Sequence, residues 1–113
     1  MRVFKIVDEG IWREAQAKGR FDGAAIDVKD GYIHLSGESQ AEETARLHFA
    51  GKSGLVLVAY EAEALAPALK WEPSRGGQLF PHVYGALDPA RALWAKSLPW
   101  VDGKHVFPEG WRA

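Results

Sequence analysis

Tyr32-Ile33-His34-Leu35-Ser36 carries the clearest two-residue alternation in the chain. In an extended segment successive side chains point to opposite faces, so Ile33 and Leu35 share an apolar face while Tyr32, His34 and Ser36 share a polar one. Asp30-Gly31 precedes this strand as a turn, because glycine takes positive φ at no steric cost. The same logic recurs in Leu79-Phe80-Pro81-His82-Val83-Tyr84-Gly85, which places Phe80, His82 and Tyr84 on one face. Between them, Gly54-Leu55-Val56-Leu57-Val58-Ala59-Tyr60 is nearly all apolar and rich in β-branched residues, as a central strand covered on both sides must be. Arg2-Val3-Phe4-Lys5-Ile6-Val7 reads the same way, with Val3 and Val7 apolar on one face and Phe4 and Ile6 on the other. Leu69-Lys70-Trp71-Glu72 is a further strand that stops at Pro73, since the residue before proline avoids the helical region. Ala92 to Leu98 reads as the last.

Helices are fewer. Gly10 to Lys18 carries Ile11, Trp12, Ala15 and Ala17 and closes at Gly19 in the manner of a C-cap. Ser39 opens a helix over Gln40 to Ala50, where Ser39 and Glu42 have the spacing of a capping box, and Gly51 ends it. Phe21 to Val28 leaves strand and helix both open, because Gly23, Ala24 and Ala25 weaken a strand. Asp88-Pro89 starts a helical turn through Arg91, and Ser74-Arg75-Gly76-Gly77-Gln78 is a loop. From Pro99 to Ala113 the chain is expected to be irregular and held by Trp100 and Trp111. Strands without a helix after each one exclude a doubly wound parallel sheet. The expected class is α+β, a mixed or mainly antiparallel central sheet with two or three short helices, in one domain over residues 1–113.

With 113 residues, 47% of them hydrophobic, the chain can bury roughly 65% of its unfolded surface, enough for one core. It has no cysteine, which excludes a disulfide framework, a thiolate metal site and a cysteine nucleophile and fits a cytoplasmic location. Fourteen basic residues against fifteen acidic give no net field toward nucleic acid or an anionic membrane. The first residues show no signal-peptide pattern, and no apolar run reaches spanning length.

The chemistry gathers on the polar strand faces. His34 and Ser36 project together, and the second histidine, His82, on a second aromatic-flanked strand makes a two-histidine pocket, with the pair expected within about 10 Å of each other. Arg75, in the glycine-rich loop, can offer its planar fork to an anion. Glu72, between Trp71 and Pro73, has two readings: a carboxyl raised by aromatic surroundings into acid–base use, or the partner of Arg75 in a salt bridge. His48 reads as a surface or packing residue and His105 as part of the tail. A zinc set of His34, His82 and Glu72 lacks a compact ligand motif, so no metal is assigned. Nucleophile elbows and phosphate-binding glycine loops are absent from the sequence.

Taken in order, Asp30 to Ser36, Gln40, Leu69 to Glu72 and Leu79 to Gly85 resemble the signature of the bacterial Domain of Unknown Function 952 family. Phe4-Lys5-Ile6 and Trp12 resemble its opening, so the likeness spans nearly the whole chain. The resemblance implies an ADP-ribosyltransferase-like fold, and Ile33-His34-Leu35-Ser36 resembles the histidine-bearing strand of the RNA 2′-phosphotransferases. It further implies a pocket for a small nucleotide-like ligand, with NAD as substrate and no other cofactor. In that picture His34 holds a ribose hydroxyl, Ser36 fixes the strand, Tyr32 or Tyr84 stacks on a ring with Phe80 nearby, and Arg75 meets the pyrophosphate. Glu72 would then be the carboxylate facing the ribose as nicotinamide departs, although this superfamily commonly has histidine or arginine where the first strand here has Lys5. Two other readings stand beside it: a module that binds such a ligand without turning it over, and a phosphoesterase using His34 and His82.

Overall fold

The computed structural model describes residues 1–112. In chain order they form β1 (Arg2–Asp8), α1 (Glu9–Lys18), α2 (Ala25–Asp30), β2 (Ile33–His34), β3 (Ser36–Gly37), α3 (Ala41–His48), β4 (Leu55–Glu61), β5 (Leu69–Pro73), β6 (Leu79–Val83), β7 (Trp94–Leu98), β8 (Trp100–Val101) and β9 (Lys104–His105). The expected α+β class with antiparallel pairing and three short α-helices is present. The single central sheet is not: there is a four-stranded sheet, β3-β1-β4-β7, a three-stranded sheet, β2-β6-β5, and a β8-β9 hairpin. No helix among the described residues is long and apolar enough to cross a membrane.

β1 and β4 are paired along their whole length, from Arg2 opposite Glu61 to Asp8 opposite Leu55. Both are covered twice, which is why both read as apolar on each face. Val3, Val7 and Val58 pack toward Trp12 of α1 and toward Ile33 and Val83 of the smaller sheet. Phe4, Ile6 and Leu57 pack on the other side toward Ala41 and Ala45 of α3 and toward Trp111. α1 begins where the Asp8 carboxylate accepts from the backbone N–H groups of Gly10 and Ile11, and ends at Gly19, whose φ of 77° only glycine adopts cheaply.

The strand expected through Tyr32 to Ser36 is cut at Leu35. Ile33 and His34 pair with β6, whereas Ser36 and Gly37 pair with β1. A chain that passes from one sheet to another must bend, so alternation within a single sheet does not continue across the crossing. The bend sets His34 and Ser36 at the junction of the two sheets, and a cleft opens there.

One open reading is resolved and two further expectations are corrected. Phe21 to Val28 resolves into an isolated bridge from Phe21 to Leu87 followed by α2. The tail holds the β8-β9 hairpin, although its aromatic anchoring is as expected: Trp111 lies 5.0 Å from Phe4 and 4.8 Å from Phe107, centroid to centroid. α3 is not started by a Ser39–Glu42 capping box. Its N-cap is Gln40, whose buried amide is used across the loop, with Oε1 accepting from Gly37 N at 2.9 Å and Nε2 donating to Leu79 O at 2.8 Å. Gln40→Ala strands both backbone groups and is expected to lower stability by about 1–3 kcal/mol in chemical denaturation. A midpoint unchanged from wild type would show that the amide bridge is replaceable.

Candidate functional site

His34 and His82 are direct cross-strand partners on β2 and β6. Their ring centroids lie 5.5 Å apart in an edge-to-face arrangement, so the structure brings the two histidines together. Each ring is held through Nδ1 by a carboxylate, His82 by Glu72 Oε1 at 2.8 Å and His34 by Asp27 Oδ1 at 2.7 Å.

The Asp27 side builds inward. Lys5 interrupts the apolar run of β1 and is 5% exposed, so it needs a counter-charge, which α2 supplies. Lys5 Nζ donates to Asp27 Oδ1 at 3.0 Å and to the His34 carbonyl at 3.1 Å. Asp27 also accepts from the backbone N–H of His34 at 3.0 Å and of Ala24 at 2.8 Å. Burial alone would push the Asp27 carboxyl up, but the Lys5 charge and the hydrogen bonds outweigh it and hold the group below the ordinary carboxylate range. Burial pulls the Lys5 ammonium below its ordinary value, with Asp27 opposing. Asp30, at the end of the same helix, lies 3.0 Å from His34 Nε2.

Glu72 behaves unlike either expectation. It accepts from His82 and, at 2.8 Å, from the Tyr84 hydroxyl, and these bonds hold its carboxyl below its ordinary value instead of raising it. It does not pair with Arg75. The guanidinium lies 4.7 Å from the Phe80 ring centroid and donates to Thr44 Oγ1 at 3.4 Å, so it is turned toward α3.

A cavity of about 610 Å³ opens beside the histidine pair. Its apolar walls come from Phe4, Ile6, Ile26, Leu35, Phe49 and Phe80. Its basic groups include Lys5, His48, Lys52 and Arg75, and no acidic residue lines it among the described residues. Of the residues expected at the site, His34, Ser36, Arg75, Phe80 and His82 line this cavity. Tyr32, Glu72 and Tyr84 do not. Tyr32 stacks on His82 at 4.2 Å and lies 5.3 Å from Tyr84, so the two tyrosines back the histidines where they were expected to stack on a ligand. Ser36 Oγ lies 2.9 Å from Thr44 Oγ1, tying β3 to α3 beneath the cavity.

Sequence reasoning missed Asp27, Thr44 and Lys52, and it left His48 outside the site. Only Asp27 had a signal: a lone lysine inside a doubly covered strand demands a buried acid. Lys52 and His48 sit where α3 ends, which Gly51 marked, but no local pattern shows that this end meets the cavity.

An antiparallel two-sheet α+β domain with a carboxylate-held histidine pair at the sheet junction defines the class. The chain belongs to the family described as protein of unknown function (DUF952), whose model matches residues 6–95. It is similar to the crystal structure of protein CC0527 from Caulobacter crescentus, with 45% identity over 94% of each chain and a TM-score of 0.89. The solution NMR structure of CC0527 is similar at 44% identity, covering 92% of this chain and 90% of that one with a TM-score of 0.83. No curated protein matches the chain.

Proposed function

We propose that the cleft binds a phosphate-bearing, nucleotide-like ligand of the NAD class and does so without releasing nicotinamide. The observation that carries this reading is the lining: aromatic and aliphatic walls beside His48, Lys52 and Arg75, with no acidic group among the described lining residues. Cavities for small ligands span about 300–1,000 Å³, mostly apolar with a few convergent polar groups, and this one fits that range. Phosphates suit Arg75 and Lys52, a flat ring suits the phenylalanines, and sugar hydroxyls suit His34 and Ser36.

The ADP-ribosyltransferase-like fold implied by the family resemblance remains part of this proposal, with NAD as a ligand and not a substrate, so the role of Glu72 changes. Departure of nicotinamide develops an oxocarbenium-like centre, which needs a carboxylate aimed at the ribose. Glu72 is committed to His82 and Tyr84 and stands behind the cleft. That geometry favours binding over glycosidic cleavage.

Calorimetric titration of NAD, ADP-ribose, AMP and nicotinamide tests it. The three phosphate-bearing ligands are expected to bind and to raise the melting temperature, and nicotinamide is not. Arg75→Ala removes a charge-assisted contact and is expected to weaken binding about 10- to 100-fold. No heat from any ligand at millimolar concentration would overturn the reading, and nicotinamide released from NAD would replace it with a glycohydrolase.

A further inference from the structure

We propose that His82 and His34 are a proton-accepting and proton-donating pair that hydrolyses the phosphodiester of a cyclic nucleotide, a step that rests on the cleft taking a phosphate-bearing nucleotide-like molecule. The two rings share a strand pairing but not a hydrogen-bonding pattern. His82 meets Glu72 through Nδ1, and its Nε2 has no hydrogen-bond partner among the described residues while the ring lines the cavity. A proton on Nδ1, donated to the carboxylate, leaves Nε2 with a lone pair facing the cleft. His34 has a carboxylate at both nitrogens, Asp27 at 2.7 Å from Nδ1 and Asp30 at 3.0 Å from Nε2. Carboxylates accept and do not donate, and a negative group beside each nitrogen favours a proton on each.

The surroundings fit those opposite roles. His34 is faced by Asp27, Asp30 and, through Asp27, by Lys5, with Tyr32 on its flank. His82 is faced by Glu72, which also takes the Tyr84 hydroxyl and has Lys70 near it, and by Tyr32 across its ring. Arg75 and Ser36 line the same cavity as the two histidines. An acid, a base and cations, with no acidic side chain on the cavity wall among the described residues, suit transfer at phosphorus, where charge develops on oxygens, better than transfer at a sugar carbon.

In the step, a water molecule gives a proton to His82 Nε2 as its oxygen bonds to phosphorus. The phosphorus–oxygen bond to the leaving alkoxide breaks, and that oxygen takes the Nε2 proton of His34. A phosphate oxygen displaces Asp30, whose side chain lies at the surface end of α2, and Arg75 meets the charge on the non-bridging oxygens. The products are a phosphomonoester and an alcohol, and exchange with solvent restores both rings.

Two measurements test this. In 15N NMR of the labelled protein at neutral pH, His82 is expected to show one protonated nitrogen, Nδ1, and His34 two. A proton on His82 Nε2, or a singly protonated His34, overturns the pair. With adenosine 2′,3′-cyclic phosphate as probe, 31P NMR is expected to show conversion to the monophosphate with a bell-shaped pH dependence, and His82→Asn, which keeps a donor toward Glu72, is expected to lose at least about 100-fold of that rate. His34→Gln is expected to lose a similar factor. AMP binding without conversion of the cyclic probe overturns hydrolysis and leaves the binding reading standing. Failure to bind AMP, NAD or the cyclic probe overturns that reading first.

Discussion

Asp27→Ala is expected to lower stability by about 3–5 kcal/mol, because it leaves the Lys5 ammonium buried without its counter-charge. The loss is compounded by the donors that the carboxylate gathers: Lys5 Nζ, His34 Nδ1 and the backbone N–H groups of Ala24 and His34. At about 4 °C per kcal/mol for a domain of this size, the melting temperature should fall by roughly 12–20 °C. Lys5→Met removes the charge and leaves Asp27 with its other donors, so it is expected to cost less than Asp27→Ala. Urea denaturation of the two variants checks the order, and the reverse order would mean that the lysine, not the carboxylate, organises the cluster. The pH dependence follows from the same pair. Asp27 is held below its ordinary value in the folded protein, whereas in the unfolded chain an aspartate titrates near about 3.9. The unfolded state therefore binds more protons across the window below about 4, so this stabilisation is complete above that value and is lost as pH falls through the folded one. Asp27→Asn should remove that part of the acid sensitivity, leaving a flatter stability profile below about pH 4.

The sequence made the two central strands legible because their burial on both faces is written into every residue of Val3 to Val7 and Leu55 to Tyr60. It also marked His34 and His82 as partners, since each sits in an aromatic-flanked alternating segment. It could not show that the first of these segments changes sheets at Leu35, because a bend between two sheets leaves no local mark when the residues on each side still alternate. The cost of that blindness was specific. With one sheet, Tyr32, His34 and Ser36 should face one pocket, whereas with two sheets His34 and Ser36 line the cavity and Tyr32 stacks behind His82. Glu72 was misread for a related reason. Sequence offers its neighbours Trp71, Pro73 and Arg75, but the partners that fix it, His82 and Tyr84, come from the adjacent strand. Ionisation set by cross-strand hydrogen bonds is invisible until the register is known.

Phe4→Ala is expected to cost about 3–5 kcal/mol, the range for removing a buried aromatic ring that its surroundings cannot replace. Phe4 is 1% exposed, and its ring meets Trp111 edge-on at 5.0 Å and Trp94 at 6.1 Å, so it joins β1, β7 and the C-terminal tail at one point. The same ring forms part of the cavity wall, so truncation should enlarge the cleft as well as loosen the core. Two measurements then separate its roles. Urea denaturation reads the stability loss, while tryptophan emission should shift to the red as Trp111 loses its cover. Phe4→Leu keeps most of the volume and is expected to cost only about 1 kcal/mol. A Phe4→Ala loss below that of Phe4→Leu would mean that the tail collapses into the space. In that case the cleft wall would be a yielding one, and ligand affinity in Phe4→Ala should stay at the wild-type level instead of falling with the lost aromatic contact.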